Sequence, residues 1–297
     1  MTSVSDAKVT SKCAAQCTTP NASCSATHCV RVRDGLALVW PKNSSGNRFG
    51  QLGNGIANKR LDNLQLEQAP ASMLIPSTKV SSVAANSSTT IPKTKPFVVA
   101  AAAGGAMDAG HTAVVLSDGS VFTCGCDRWQ QLGLGSSAAG SAGYTWENGK
   151  IWRPVLQRVQ SLDPPNPNDP IIDVACGADY TILRSKNGRV VGFGRSQIGQ
   201  VTGNGRKGPF VTGPVHVAAT RAAVTHIATD PVGDCTLLVR NLSACIGGIT
   251  DKPTPKELGA WWVNILKLSA RDEKNAALEM KGRCSSSFVL EKLKNLM

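Results

Sequence analysis

The sequence predicts an all-β fold of repeated blades, a β-propeller, on three observations. Apolar runs interrupted by Asp-Gly or Asn-Gly recur along the chain, a glycine–glutamine loop follows the hairpins, and a small-residue apolar strand precedes them. An apolar run, Asp-Gly or Asn-Gly, and a second apolar run form the strongest short-range hairpin signal. A fixed order of elements repeated along a chain marks an architecture whose units bury their faces against one another.

The hairpins are read first. Thr27–Trp40 turns at Asp34-Gly35, His111–Val121 at Asp118-Gly119, and Tyr180–Val190 at Asn187-Gly188. Weaker copies are read at Asp234–Ser243 and Cys284–Glu291. With His28, Thr112, Thr181, Thr236 and Ser286 taken as one phase, the spacings are 84, 69, 55 and 50 residues. The two shortest approach one four-stranded blade, and the longer two must carry insertions.

The loop comes next. Gly50-Gln51-Leu52-Gly53 returns as Gln130-Gln131-Leu132-Gly133, 80 residues on, and as Gly199-Gln200-Val201-Thr202, 69 further. Taken alone, Arg48–Gly55 has the glycine content of a phosphate cradle. In step with the hairpins it reads instead as a blade-to-blade turn, with glycines supplying positive φ and Leu52 and Leu132 filling the seam. Val98–Ala103, Ile172–Gly177 and Thr225–Thr229 are the expected inner strands, whose Ala and Gly suit crowding around an axis.

This order of inner strand, His or aromatic residue, Thr, Asp/Asn-Gly and Gly-Gln-Leu-Gly resembles the regulator of chromosome condensation repeat. The likeness is good over residues 97–205, fair over 26–55 and weak from 206 onward. It implies a propeller, typically of seven blades. The chain departs from the pattern: four or five hairpin phases are countable, and the family's Trp before a glycine is Cys124 and Phe193 here. The expectation is therefore a shortened propeller of four or five blades, an open ring completed by a partner, whose strand edges need cover. Residues 1–25 are assigned to an N-terminal arm and 26–297 to a single propeller domain.

Three insertions interrupt the blades: a Ser/Thr/Pro/Lys-rich loop at about 77–95, a Gly/Ala/Ser loop at 136–149, and the turn DPPNPNDP at 163–170. Long loops on a rigid scaffold are where contacts concentrate. Glu257–Leu268 has the apolar spacing of a short amphipathic helix, with Trp261 and Trp262 packed on the blades or offered to a partner.

The formal charge is +12, a field that attracts polyanions such as RNA. Candidate interaction residues are Lys59, Arg60, Lys93, Lys95, Arg206, Lys207, Trp261 and Trp262. No apolar run reaches the length of a membrane-spanning helix. Ten cysteines without a signal-like N-terminus, several of them among Ala, Gly and Val (Cys124, Cys126, Cys176, Cys235, Cys245), point to a reducing intracellular compartment.

Catalytic chemistry finds little support. Gly105–Thr112 resembles a P-loop, but His111 stands where the phosphate-binding lysine is needed, and a hairpin follows instead of a helix. No cofactor is implied. Cys13, Cys17, Cys24 and His28 offer four zinc-type ligands at unusual spacing, and free thiols are the plainer reading. His111 is assigned a structural hydrogen bond, and no Gly-x-Ser-x-Gly elbow is present. The expected function is a non-enzymatic scaffold docking through basic loops onto a large assembly.

By the resemblance, that assembly is a ribonucleoprotein such as a mitochondrial ribosome or its assembly intermediate. A guanine-nucleotide exchange factor or other small-GTPase regulator, in cytoplasm or nucleus, is the alternative. A cytoskeletal or flagellar structural protein is the third reading.

Overall fold

The computed structural model describes residues 22–56, 71–73, 95–107, 109–135, 145–147, 150–162, 165–202, 210–217, 223–240, 254–256 and 278–296. Among these residues four antiparallel sheets follow one another along the chain. Blade 1 is β1 (Ala22–Cys24), β2 (His28–Arg33), β3 (Leu36–Pro41) and β4 (Ala71–Ser72). Blade 2 comprises β5 (Val98–Gly104), β6 (His111–Leu116), β7 (Val121–Cys126), β8 (Thr145–Glu147) and β9 (Lys150–Arg158), in the order β5-β6-β7-β9-β8. Blade 3 is β10 (Ile171–Cys176), β11 (Tyr180–Ser185), β12 (Val190–Arg195) and β13 (Phe210–His216). Blade 4 is β14 (His226–Thr229), β15 (Cys235–Val239) and β16 (Leu278–Gly282), and a helix, α1 (Ser286–Asn295), follows it.

The seams between blades are the core. Val30, Ala37, Val39 and Leu52 of blade 1 pack on Val98, Val114, Phe122 and Leu156 of blade 2. Ala113, Val115 and Val121 of blade 2 meet Ile171, Leu183 and Phe193 of blade 3. Tyr180, Ile182, Val190 and Val201 of blade 3 meet Val224 and Leu238. Each fully buried side chain of this size contributes about 1.5–3 kcal/mol, so the seams carry most of the stabilisation. One face of blade 4 is covered by α1: Leu237, Val239 and Leu278 pack with Val289, Leu290 and Leu293. Ser285 caps the helix by accepting from the Phe288 amide at 3.2 Å.

The inner strands β1, β5, β10 and β14 surround an axial cavity of about 480 Å³, closed on one side by Phe288, Glu291 and Lys292 of α1. Small residues (Ala101, Ala102, Ala175, Ala228) line it, as crowding at the axis requires.

Several expectations change. Blade 1 turns through two residues, Asp34 and Gly35, both at positive φ (52° and 73°). Blades 2 and 3 turn through three, closing Leu116 N on Ser120 O and Ser185 N on Arg189 O, with only Gly119 (85°) and Gly188 (81°) at positive φ. One residue fewer in the first turn shifts the phase, so His28 corresponds to His111 and Tyr180, and Cys29 takes the Thr112 position. The copy at Cys284–Glu291 is no hairpin. Its serine cap and the 3.6-residue spacing of Val289, Leu290 and Leu293 make it the start of α1. The partner of β15 after the Asp234–Ser243 copy is β16, beginning at Leu278 and therefore not reached through a tight turn.

Thr145–Glu147, expected inside a loop, pairs with β9, so Trp146 lies on a strand. Ala22–Cys24, assigned to the arm, forms the innermost strand of blade 1 through its pairing with β2. The described part of 163–170 is a turn, with Asn168 N and Asp169 N both donating to Asn166.

Candidate docking face

Each blade has two ends. The Asp/Asn-Gly hairpins lie at one, and the glutamine loops at the other, where the second strand begins and the third ends. The three glutamine loops share an internal bonding scheme. The glutamine Oε1 accepts from the amide two residues earlier: Phe49 N to Gln51 at 2.8 Å, Trp129 N to Gln131 at 2.8 Å, Ile198 N to Gln200 at 3.0 Å. A polar side chain four residues before the glutamine then accepts from an amide one or two residues after it. These are Leu52 N to Asn47 (3.1 Å), Leu132 N to Asp127 (3.0 Å), and Thr202 N to Ser196 (3.2 Å).

The loops are tied to the next blade by a hydroxyl. Thr112, Thr181 and Thr236 donate to the carbonyls of Gln51 (2.6 Å), Gln131 (2.9 Å) and Gln200 (2.8 Å). With that proton committed, the threonine oxygen is left to accept. His28 Nε2 reaches Thr112 Oγ1 at 2.7 Å, and His111 Nε2 reaches Thr181 Oγ1 at 3.1 Å. Tyr180 donates instead to the carbonyl of Cys235, at 2.6 Å. Burial lowers His28 to about 3, helped by His111 and Lys42, and lowers His111 to about 4; burial also raises Tyr180. All three are neutral near pH 7 and bind blade to blade.

Gly50 (φ 74°), Gly53 (63°), Gly133 (67°) and Gly199 (80°) supply the backbone these loops need. At Gly50 a Cβ would also enter the backbone of Pro154. Gln130 occupies the equivalent position in blade 2 at φ 63°, without a glycine's freedom. Leu52, Leu132 and Val201 are buried at successive seams.

On the outer surface of these loops the structure assembles residues that the sequence reading did not single out. Exposed Arg48 stacks over Phe49 at 5.7 Å, and exposed Arg128 over Trp129 at 5.4 Å. Arg195, from blade 3, reaches the same Trp129 ring at 5.4 Å and pairs with Asp179 at 3.5 Å. Burial raises Asp179, Arg195 opposes that shift and Asp234 adds to it. Each stacked cation is worth about 0.5–1 kcal/mol and holds a guanidinium in a fixed place at the surface. The repeated dipeptides Arg48-Phe49 and Arg128-Trp129, at matching offsets before the glutamine, were the signal available in the sequence.

Of the candidate interaction residues, Lys95 is exposed. Lys59, Arg60, Lys93, Arg206, Lys207, Trp261 and Trp262 lie outside the described residues, as does the whole of Glu257–Leu268. The zinc reading is corrected for the ligands described. Cys24 is bonded to Cys29, and His28 Nδ1 meets Ser25 Oγ at 2.9 Å and Thr27 Oγ1 at 3.1 Å, so neither side chain is open to a metal. Cys13 and Cys17 lie outside the described residues, among which no group of three or more potential ligands converges. Gly105–Thr112 runs from the end of β5 into the first residues of β6, a strand where a P-loop needs a helix.

Cys124, Cys126 and Cys176 are buried, as expected of small apolar fillers, whereas Cys235 is bonded to Cys284. The two disulfides, Cys24–Cys29 across the β1–β2 strand pair and Cys235–Cys284 across 49 residues, are brought together by the fold.

Successive antiparallel sheets of three to five strands, stitched at their seams by one repeated loop, define the chain as a repeat-built β-propeller. It carries the regulator of chromosome condensation (RCC1) repeat, models of which match residues 118–183 and 171–200. Over 92 residues it is 34% identical to the secretion-regulating guanine nucleotide exchange factor of Bos taurus and 36% identical to that of Mus musculus. These matches cover 31% of this chain and 16% of each relative, so the matched stretch spans about a sixth of the curated relatives. Among solved structures, human WBSCR16 superposes with a TM-score of 0.50 at 17% identity, over 75% of this chain and 44% of that one.

Proposed function

We propose that this protein is a non-catalytic propeller scaffold that docks through the glutamine-loop face onto a protein partner within a large assembly. The observation that carries this reading is the row of surface cations, Arg48, Arg128 and Arg195, stacked on Phe49 and Trp129 at the loop end of three consecutive blades. Arginine stacked on an aromatic ring presents its donors with little further loss of rotamer freedom, which suits recognition of carboxylate or phosphate. The net charge of +12 favours an assembly that also exposes RNA phosphate, such as a ribonucleoprotein of the mitochondrial ribosome type. A mitochondrial location belongs to this reading.

The test is sedimentation with ribosomal particles from the cell's own lysate at low and raised salt. Co-sedimentation at low salt, lost at high salt and lost in an Arg48→Glu/Arg128→Glu variant, is expected. Migration only as a free monomer at low salt would overturn the proposal.

A second reading rests on the two exchange-factor relatives: regulation of a small GTPase, in cytoplasm or nucleus. Accelerated nucleotide release from one member of a GTPase panel would establish it, and a flat panel would remove it.

A further inference from the structure

We propose that the Cys235–Cys284 disulfide is a thiol-exchange site that latches the β16–α1 unit, residues 278–295, over the fourth blade. Three observations carry this. First, the unit forms the outer end of the described part of the blade. Among the described residues β16 pairs only with β15, and Cys284 lies between that strand and the cap of α1. Second, the unit covers apolar surface of the kind that elsewhere packs another blade: Leu237 and Val239 lie beneath Val289, Leu290 and Leu293. It also closes the axial cavity through Phe288, Glu291 and Lys292. Third, the two sulfurs differ in access. Cys235 is buried at 1% exposure, and Cys284 is half-buried beside the exposed residues Arg283 and Ser285.

The asymmetry sets the direction of reaction. A small thiolate attacks the Cys284 sulfur, forming a mixed disulfide and expelling Cys235 as a thiolate that takes up a proton. A second thiol attacks the mixed disulfide, leaving Cys284 as a thiol and the two reductant thiols joined as one disulfide. Two electrons pass from the thiols to the protein, and a glutathione-type monothiol suffices. The opened latch releases a loop of 49 residues, and a ten-residue helix has little stability of its own in water. The unit then detaches as a local unfolding step, uncovering β15, the face of blade 4 and the axial cavity. Cys124 and Cys176 do not compete: both are fully buried, where burial pushes Cys176 up to about 12 and Cys124 higher still.

Hydrogen exchange on the full chain, oxidised and then held in millimolar reduced glutathione, tests this. Amides of residues 278–295 are expected to exchange at least tenfold faster after reduction, while those of β6, β7, β11 and β12 stay unchanged. The same response in a Cys24→Ser/Cys29→Ser background assigns the effect to Cys235–Cys284. Equal exchange in both states, or uniform acceleration across all blades, overturns the proposal. Trapping the wild-type protein with iodoacetamide during reduction gives a reading that needs no variant. Glutathione found on Cys284 before Cys235 becomes alkylated supports the proposal, and the reverse order sinks it.

Discussion

The hydroxyl of Thr112, on the second blade, donates at 2.6 Å to the carbonyl of Gln51 in the first blade's loop. The same hydroxyl oxygen lies 2.7 Å from His28 Nε2. One fully buried atom therefore completes two groups from the neighbouring blade. Thr112→Val keeps the shape and removes both bonds, leaving a carbonyl and an imidazole N–H unpaired at the seam. The expected loss is about 2–4 kcal/mol, from two buried groups at about 1–2 each, read from the denaturant midpoint. Thr112→Ser should recover most of it.

Gln130 is a non-glycine residue at φ 63° where two other blades have glycine, and its buried Oε1 has no hydrogen-bond partner among the described residues. Gln130→Gly should raise stability by about 1 kcal/mol, with an unchanged denaturant slope. The mirror experiment, Gly50→Ala, drives a methyl into the backbone of Pro154 and should lower stability by about 2–4 kcal/mol.

Leu52 is 8% exposed within the seam of blades 1 and 2. Leu52→Asp should lower the melting temperature first, by about 3–5 kcal/mol of stability, because it buries a charge without a partner. Lost partner binding with unchanged melting would instead place Leu52 on the docking surface.

The two seam histidines give the protein an acid limb. Burial holds His28 near 3 and His111 near 4, both below their ordinary 6.5, so the unfolded chain binds protons first as pH falls. Their neutral forms contribute stability that is complete above pH 6.5 and lost as pH falls through about 4 and then 3. The slope is about 1.4 kcal/mol per pH unit for each histidine. Urea midpoints at pH 7, 6 and 5 should fall accordingly, and His111→Gln should flatten the slope between pH 6.5 and 4.

Arg128 is exposed and stacks over the ring of Trp129. Arg128→Glu should leave the melting temperature within about 1 °C, since a surface cation is worth little to folding. It should weaken partner association at least tenfold. Association measured by sedimentation, beside a thermal melt, separates the two effects.

The sequence by itself determined the repeat. Asp34-Gly35, Asp118-Gly119 and Asn187-Gly188 mark turns because few residues adopt their backbone, and Gly-Gln-Leu-Gly marks a seam because its glycines allow left-handed conformations. Such signals are local and survive in one dimension. The register of blade 1 did not, because a two-residue and a three-residue turn both read as Asp-Gly while their strands begin one residue apart. Nor did the docking residues: Arg195 joins Arg128 on Trp129 only when blade 3 packs beside blade 2. Cys235 and Cys284 likewise look like separate small hydrophobes until β15 and β16 pair. Turns follow from what a few consecutive residues can do with their backbone. Which side chains meet across a seam, and what covers the last blade, depend on long-range packing that only the folded chain decides.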